Sequence, residues 1–98
     1  MADISSGSTI VDAVPHMGRK IITVETANTA DTADTIAITL ADYGISTFLA
    51  VTGYVHTTEN SIVVEEAPTT AVASGVLTIT VGGSTVSNKK RVYVIVGR

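Results

Sequence analysis

Cysteine and tryptophan are absent from this 98-residue chain, and only four of its residues are aromatic. Without cysteine there is no disulfide framework and no thiolate metal site. Charge is also scarce. Lys, Arg, Asp and Glu make up 15% of the chain, against about 25% in an average domain. The net charge is −3, which excludes a basic nucleic-acid-binding domain. A mean hydropathy of +0.41 excludes a disordered chain. Leucine, the usual residue of helix cores, occurs three times. No apolar run approaches the length of a membrane span; Val92 to Val96 is the longest. The first eight residues lack the basic start and apolar stretch of a secretory signal. The chain is therefore expected to fold in a reducing cytosol, or to be indifferent to redox state.

What is abundant points to strands. Sixteen Thr, fourteen Val and ten Ile make forty β-branched residues. Such side chains are stiff at χ1 and suit a pleated, half-buried surface. A chain of this length is one domain, burying roughly two-thirds of its unfolded surface. The pattern predicts strands at residues 21–26, 35–40, 47–56, 61–65, 76–81 and 91–97. Ile36, Ile38 and Leu40 share one strand face, as do Leu77, Ile79 and Val81. Ala41-Asp42-Tyr43-Gly44 reads as a turn or single helical turn closed by Gly44. Gly53 suggests a bulge or a bend between sheets. Pro68 opens a Thr/Ala-rich connection, and Gly82-Gly83 starts a long hairpin connection. The expected fold is all-β: a compact antiparallel β-sandwich or small β-barrel of about six to seven strands with an extended N-terminal arm.

The arm is residues 1–18, with the β domain at 19–98. Pro15 and Gly18 limit regular structure in the arm, which has room for one short edge strand near Thr9–Val14. Its apolar residues Ile10, Val11, Val14 and Met17 are expected to order against a neighbouring subunit, and the arm to be dispensable for the fold. The triplets Thr26-Ala27-Asn28, Thr29-Ala30-Asp31 and Thr32-Ala33-Asp34 repeat, and such low complexity predicts an exposed loop.

No catalytic set is visible, and the chain is not expected to be an enzyme. Asp31, Asp34 and Asp42 offer oxygen ligands, but the spacing and glycine of a Ca²⁺-binding helical loop are missing, and turn capping is the expected role. His16 and His56 stand forty positions apart, with no acid or thiol completing a nucleophile or metal set; His56 and Glu59 are expected to form a solvent-exposed pair. Glu65 and Glu66, adjacent on a strand, point to opposite faces and cannot converge on one substrate; they read as solubilising charge at a strand end. Lys89-Lys90-Arg91 lacks interleaved aromatics, so it is expected to end a loop, pair with acids or dock on an acidic protein surface. No cofactor, metal, specific nucleic acid or membrane is expected as a ligand.

The surface is expected to be built of Thr, Ser, Ala and Asn, with more apolar residue than one small core hides. Val92 to Val96 is apolar on both faces, with Tyr93 and Ile95 pointing one way and Val92, Val94 and Val96 the other. Such a strand is central to a packed assembly or contacts another chain. The expected interface therefore comprises Ile10, Val11, Val14, Met17, Lys89, Lys90, Arg91, Val92, Tyr93 and Val94, in a homo-oligomer or in many copies on a lattice.

Four phrases carry a family likeness: residues 38–46 (ITLADYGIS), 53–61 (GYVHTTENS), 77–83 (LTITVGG) and 90–97 (KRVYVIVG). Across residues 19–97 the chain resembles small structural proteins of tailed bacteriophages, in particular capsid decoration, or cement, proteins. The resemblance implies a protein made in the host cytoplasm and bound in many copies to the outer capsid surface. Its partner would be the major capsid protein, whose subunits it would lock against internal DNA pressure. The resemblance implies no active-site residues. The alternatives are a carbohydrate- or receptor-binding β-sandwich of a fibre, and a minor head–tail or tail protein.

Overall fold

A computed structural model of the chain describes residues 3–16, 19–27, 29–82 and 88–98. Among them are eight strands: β1 (Thr9–His16), β2 (Arg19–Glu25), β3 (Thr35–Thr39), β4 (Phe48–Thr58), β5 (Ile62–Glu65), β6 (Thr69–Ala73), β7 (Val76–Thr80) and β8 (Arg91–Gly97). They form two antiparallel sheets, of order β1-β2-β8-β4-β5 and β3-β7-β6. The core lies between the sheets. Ile22, Val24, Tyr93 and Ile95 come from the larger sheet, and Ile36, Ile38, Leu77 and Ile79 from the smaller. The expected all-β class is the fold observed, and of the two expected architectures, sandwich and small barrel, it is the two-sheet one.

Alternation in sequence becomes alternation in burial. Along β8, Arg91, Tyr93, Ile95 and Gly97 are buried, while Val92, Val94 and Val96 are half-buried on the other face. β8 is the middle strand of five, which accounts for its apolar character on both sides. The residues after Thr39 form a single 3₁₀ turn, Leu40–Tyr43. Gly44 closes it at φ 71°, and its N–H donates to the carbonyls of Leu40 and Ala41.

The strand count exceeds the expected six to seven because of β6, which lies in the stretch expected to be a Thr/Ala-rich connection. Ser74 and Gly75 have φ of 52° and 76°. Positive φ at both central residues of a two-residue turn folds β6 back onto β7, with Thr69 opposite Thr80 and Ala73 opposite Val76. Gly53 marks neither bulge nor bend. β4 runs straight through it, and the register shifts lie between Phe48 and Ala50 and between His56 and Thr58. Glycine stands there because a Cβ would lie 2.4 Å from the Glu66 carbonyl oxygen and 2.9 Å from the Tyr93 ring.

Residues 3–16 contribute more than a short strand. β1 pairs with β2 from Thr9 opposite Glu25 to His16 opposite Arg19. Pro15 is accommodated because β1 is an edge strand. Ile4 and Ile10 pack against the core. A 3₁₀ turn at Ser5–Gly7 lies beside β3, where Ile4 N–H donates to the Thr35 carbonyl at 2.8 Å and Ala37 N–H donates to Ser5 Oγ at 2.8 Å. Hydrogen bonds from the hydroxyl and then the N–H of Ser5 hold the Asp3 carboxyl below its usual pKa. These contacts correct the expectation that the segment is dispensable for the fold. Deleting residues 1–18 is expected to lower the thermal midpoint by more than about 8 °C, the effect of ~2 kcal/mol in a domain of this size. Differential scanning calorimetry checks this.

Candidate interaction surface

One buried ion pair positions the loops around the sandwich. Arg91 begins β8 and is fully buried. Its Nε donates to Glu66 Oε1 at 3.0 Å and its Nη2 to Glu66 Oε2 at 3.3 Å, in the forked geometry that guanidinium and carboxylate share. Its Nη1 donates to the carbonyls of Ala30 and Lys89. The Arg91 N–H donates to Thr26 Oγ1 at 2.8 Å, and the Thr26 N–H donates back to the Arg91 carbonyl at 2.9 Å. Glu66 is held in turn, its N–H donating to the Gly53 carbonyl at 2.9 Å. One side chain thus ties the loop between β2 and β3, the link between β5 and β6, and the entry to β8.

Several sequence expectations change here. Arg91 and Tyr93 were candidates for contact with another chain, but both are fully buried within this one. They have no surface to offer, because their strand positions point between the sheets. Glu66 is not solubilising charge but the buried partner of Arg91; only Glu65 of that pair is exposed. The repetitive loop is not simply exposed. Thr26, Ala30 and Asp34 are buried, since Arg91 and the neighbouring backbone need their oxygens.

The turn role of Asp31 and Asp34 and the acid pairing of the basic cluster are borne out. Asp31 and Asp34 serve turn geometry: Asp31 N–H donates to Asp34 Oδ2 and Thr32 N–H to Asp31 Oδ1, both at 2.9 Å. The basic cluster does pair with acids, Lys90 Nζ lying 3.2 Å from Glu25 Oε1 and Arg91 bound to Glu66. Lys90 Nζ also donates to Asn60 Oδ1, and Lys89 is half-buried. His56 Nδ1 accepts from the backbone N–H of Asn60. Ile10, expected to order against a neighbouring subunit, instead packs on this chain's own core. Val11 and Val14 lie in β1 by their backbone, and Met17 lies outside the described residues, as do Gly83 and the polar stretch to residue 87.

Two candidates, Val92 and Val94, do face outward. The register brings neighbours alongside them. Ile21, Val96 and Ala50 form one cross-strand row on β2, β8 and β4, and Thr23, Val94 and Thr52 form the next. All six lie on the face turned away from the core, and none is charged. Asp12 on β1 stands opposite Thr23 at one side of these rows, and the third row, Glu25, Val92 and Tyr54, brings a second carboxylate. The outer face of an antiparallel sheet is ordinarily polar, so an uncharged aliphatic and threonine patch at its centre is the principal surface feature of the larger sheet. The tyrosine and phenylalanine side chains do not supply a comparable patch. Tyr93 is buried, Tyr43 and Phe48 pack on the core, and Tyr54 is half-buried.

Two predictions concern the interior. Glu66→Ala strands a buried guanidinium and is expected to cost about 3–5 kcal/mol in urea unfolding. Glu66→Leu/Arg91→Met, which removes both charges, is expected to be more stable than that single variant. Tyr93 Oη is buried with no hydrogen-bond partner among the described residues. Burial, then the nearby Glu66 carboxylate, raises the pKa of that hydroxyl, with Arg91 opposing. A raised folded value favours the neutral form. The stability it supports is complete below the unfolded pKa of about 10 and is lost as pH rises from there through the folded value. Tyr93→Phe is expected to be at least as stable as the parent at neutral pH and to flatten the fall in melting temperature above pH ~10.

No family model matches the chain, and no curated protein matches it. Among solved structures, the bovine atadenovirus type 4 fibre head protein is similar, with a TM-score of 0.45 and 13% identity over 92% of this chain and 94% of that one. A likeness at that level says nothing of this chain's activity or partners.

Proposed function

We propose that the chain is a virion structural protein, a capsid decoration protein that binds the outer capsid surface and bridges neighbouring subunits. The observation that carries this reading is the uncharged patch of Ile21, Thr23, Ala50, Thr52, Val94 and Val96 on the outer face of the larger sheet. It agrees with the sequence resemblance to phage decoration proteins across residues 19–97. A patch of this kind gains free energy from apolar area removed from water, at roughly 25 cal/mol per Å² before association costs. Placement in many copies over a lattice makes modest single contacts effective. A sugar-binding role would call for exposed aromatic rings, and the four aromatic residues here are buried or half-buried.

Quantitative mass spectrometry of purified particles tests the role. Copies stoichiometric with the capsid lattice are expected; a dozen or fewer would place the protein in a neck, tail or fibre, and none would remove it from the virion. The surface is tested by Val94→Glu. That variant is expected to keep its melting temperature within a few degrees, at a half-exposed site, and to lose at least about tenfold in particle affinity, or ~1.4 kcal/mol. Because the patch is uncharged, affinity is expected to change by less than about twofold between low and high salt, where exposed ionic contacts would be screened.

A further inference from the structure

The two sheets have four edges, and two are protected. β3 is covered by the N-terminal segment, through the bonds from Ile4 to Thr35 and from Ala37 to Ser5, with Asp3 bridging Thr35. β1 carries Pro15 and a register shift between Ile10 and Asp12, both of which spoil pairing with a further strand. β6 is open as well, but Val72 is its one large aliphatic side chain. β5 has none of these devices. Its residues Ile62, Val63 and Val64 are 53, 47 and 45% exposed, and it contains neither lysine nor proline. A bare aliphatic edge is a template for another strand.

The hydrogen-bond pattern shows which groups that edge presents. The His56 N–H donates away from β5, to Lys90 beside β8, and the Gly53 carbonyl accepts from Glu66 on the β5 side. Antiparallel strands alternate in direction residue by residue. With Val63 opposite His56 and Glu65 opposite Tyr54, it is Val63 and Glu65 whose N–H and C=O groups point outward. A partner strand must therefore register on the odd-numbered residues.

We infer that β5 pairs antiparallel with β5 of a second copy of this chain, about a two-fold axis at Val63. This register places Val63 opposite Val63, Ile62 opposite Val64, and Glu65 opposite Ser61. Every exposed aliphatic meets another, and the strand's one carboxylate meets a hydroxyl donor instead of a second carboxylate. The strand is its own complement in shape and charge, which is what an isologous contact requires. The two five-stranded sheets then join into one of ten strands. Two four-residue strands bury far less than the ~1,200 Å² of a stable complex. The pairing is therefore concentration-dependent, and tightens where copies are already held side by side. It leaves the outer face of the larger sheet free and is independent of what that face binds.

Sedimentation of the full chain from micromolar to millimolar concentration tests the pairing. The parent is expected to pass from monomer to dimer. Val63→Lys, at an exposed position, is expected to weaken the dimer at least tenfold while keeping the parent's melting temperature. The absence of native cysteine makes cross-linking specific. A hydrogen-bonded antiparallel pair holds its Cα atoms about 5.5 Å apart, within disulfide reach. Val63→Cys is therefore expected to oxidise to a covalent dimer, and Val64→Cys, opposite Ile62, is not. A parent that stays monomeric at millimolar concentration overturns the inference. So does a Val64→Cys variant that cross-links as fast as Val63→Cys.

Discussion

The Arg91–Glu66 pair is the constraint on which the arrangement of this sandwich depends. A guanidinium buried at the start of the central strand must have its donors satisfied. Its partners come from three places: Glu66 after β5 and Ala30 in the loop between β2 and β3, both distant in sequence, and Lys89 just before β8. Satisfying it fixes the path of all three. The Glu66 link must then lie over β4, which accounts for glycine at position 53, where a side chain would strike the Glu66 carbonyl. Tyr93, two residues along the same strand face, fills the space beside that crossing. A charge-poor protein thus places an ion pair in its interior, where removing one partner is costly.

With the interior fixed in this way, the sheets differ in width. Five strands face three, and the N-terminal segment covers the flank at β3 while the flank at β5 is left uncovered. Two kinds of apolar surface result. The outer face of the larger sheet offers a broad uncharged patch centred on Val94, suited to a flat partner. The β5 edge offers backbone groups as well as aliphatic side chains, suited to an extended strand. A particle-bound protein that touches both its substrate lattice and its neighbours would use the two surfaces together.

The strands were legible wherever hydrophobic alternation was strong. Ile36-Ala37-Ile38 and Leu77-Thr78-Ile79 show which residues face inward without any structure, because a period of two admits only one burial pattern. β6 was missed because Thr and Ala carry little hydrophobic contrast. Its signal lay in the Ser74-Gly75 turn that follows it, a two-residue link able to adopt positive φ at both positions. The opposite facing of Val92 and Val94 from Tyr93 and Ile95 was legible, but not which face turns outward. Tyr93 was assigned to the interface although its strand parity, shared with Ile95, places it in the core. The uncharged patch itself was not legible, since Ile21, Ala50 and Val96 become neighbours only through the register of three strands.

Composition and alternation alone determined the all-β class and the doubly apolar character of β8, since these follow from side-chain shape and periodicity along one strand. Only the tertiary structure decided which charges are buried, which sheet edges are closed and which residues form a surface. Those properties depend on contacts between residues far apart in the chain. Glu66 looks like any exposed carboxylate until Arg91, 25 residues on, lies 3.0 Å from it.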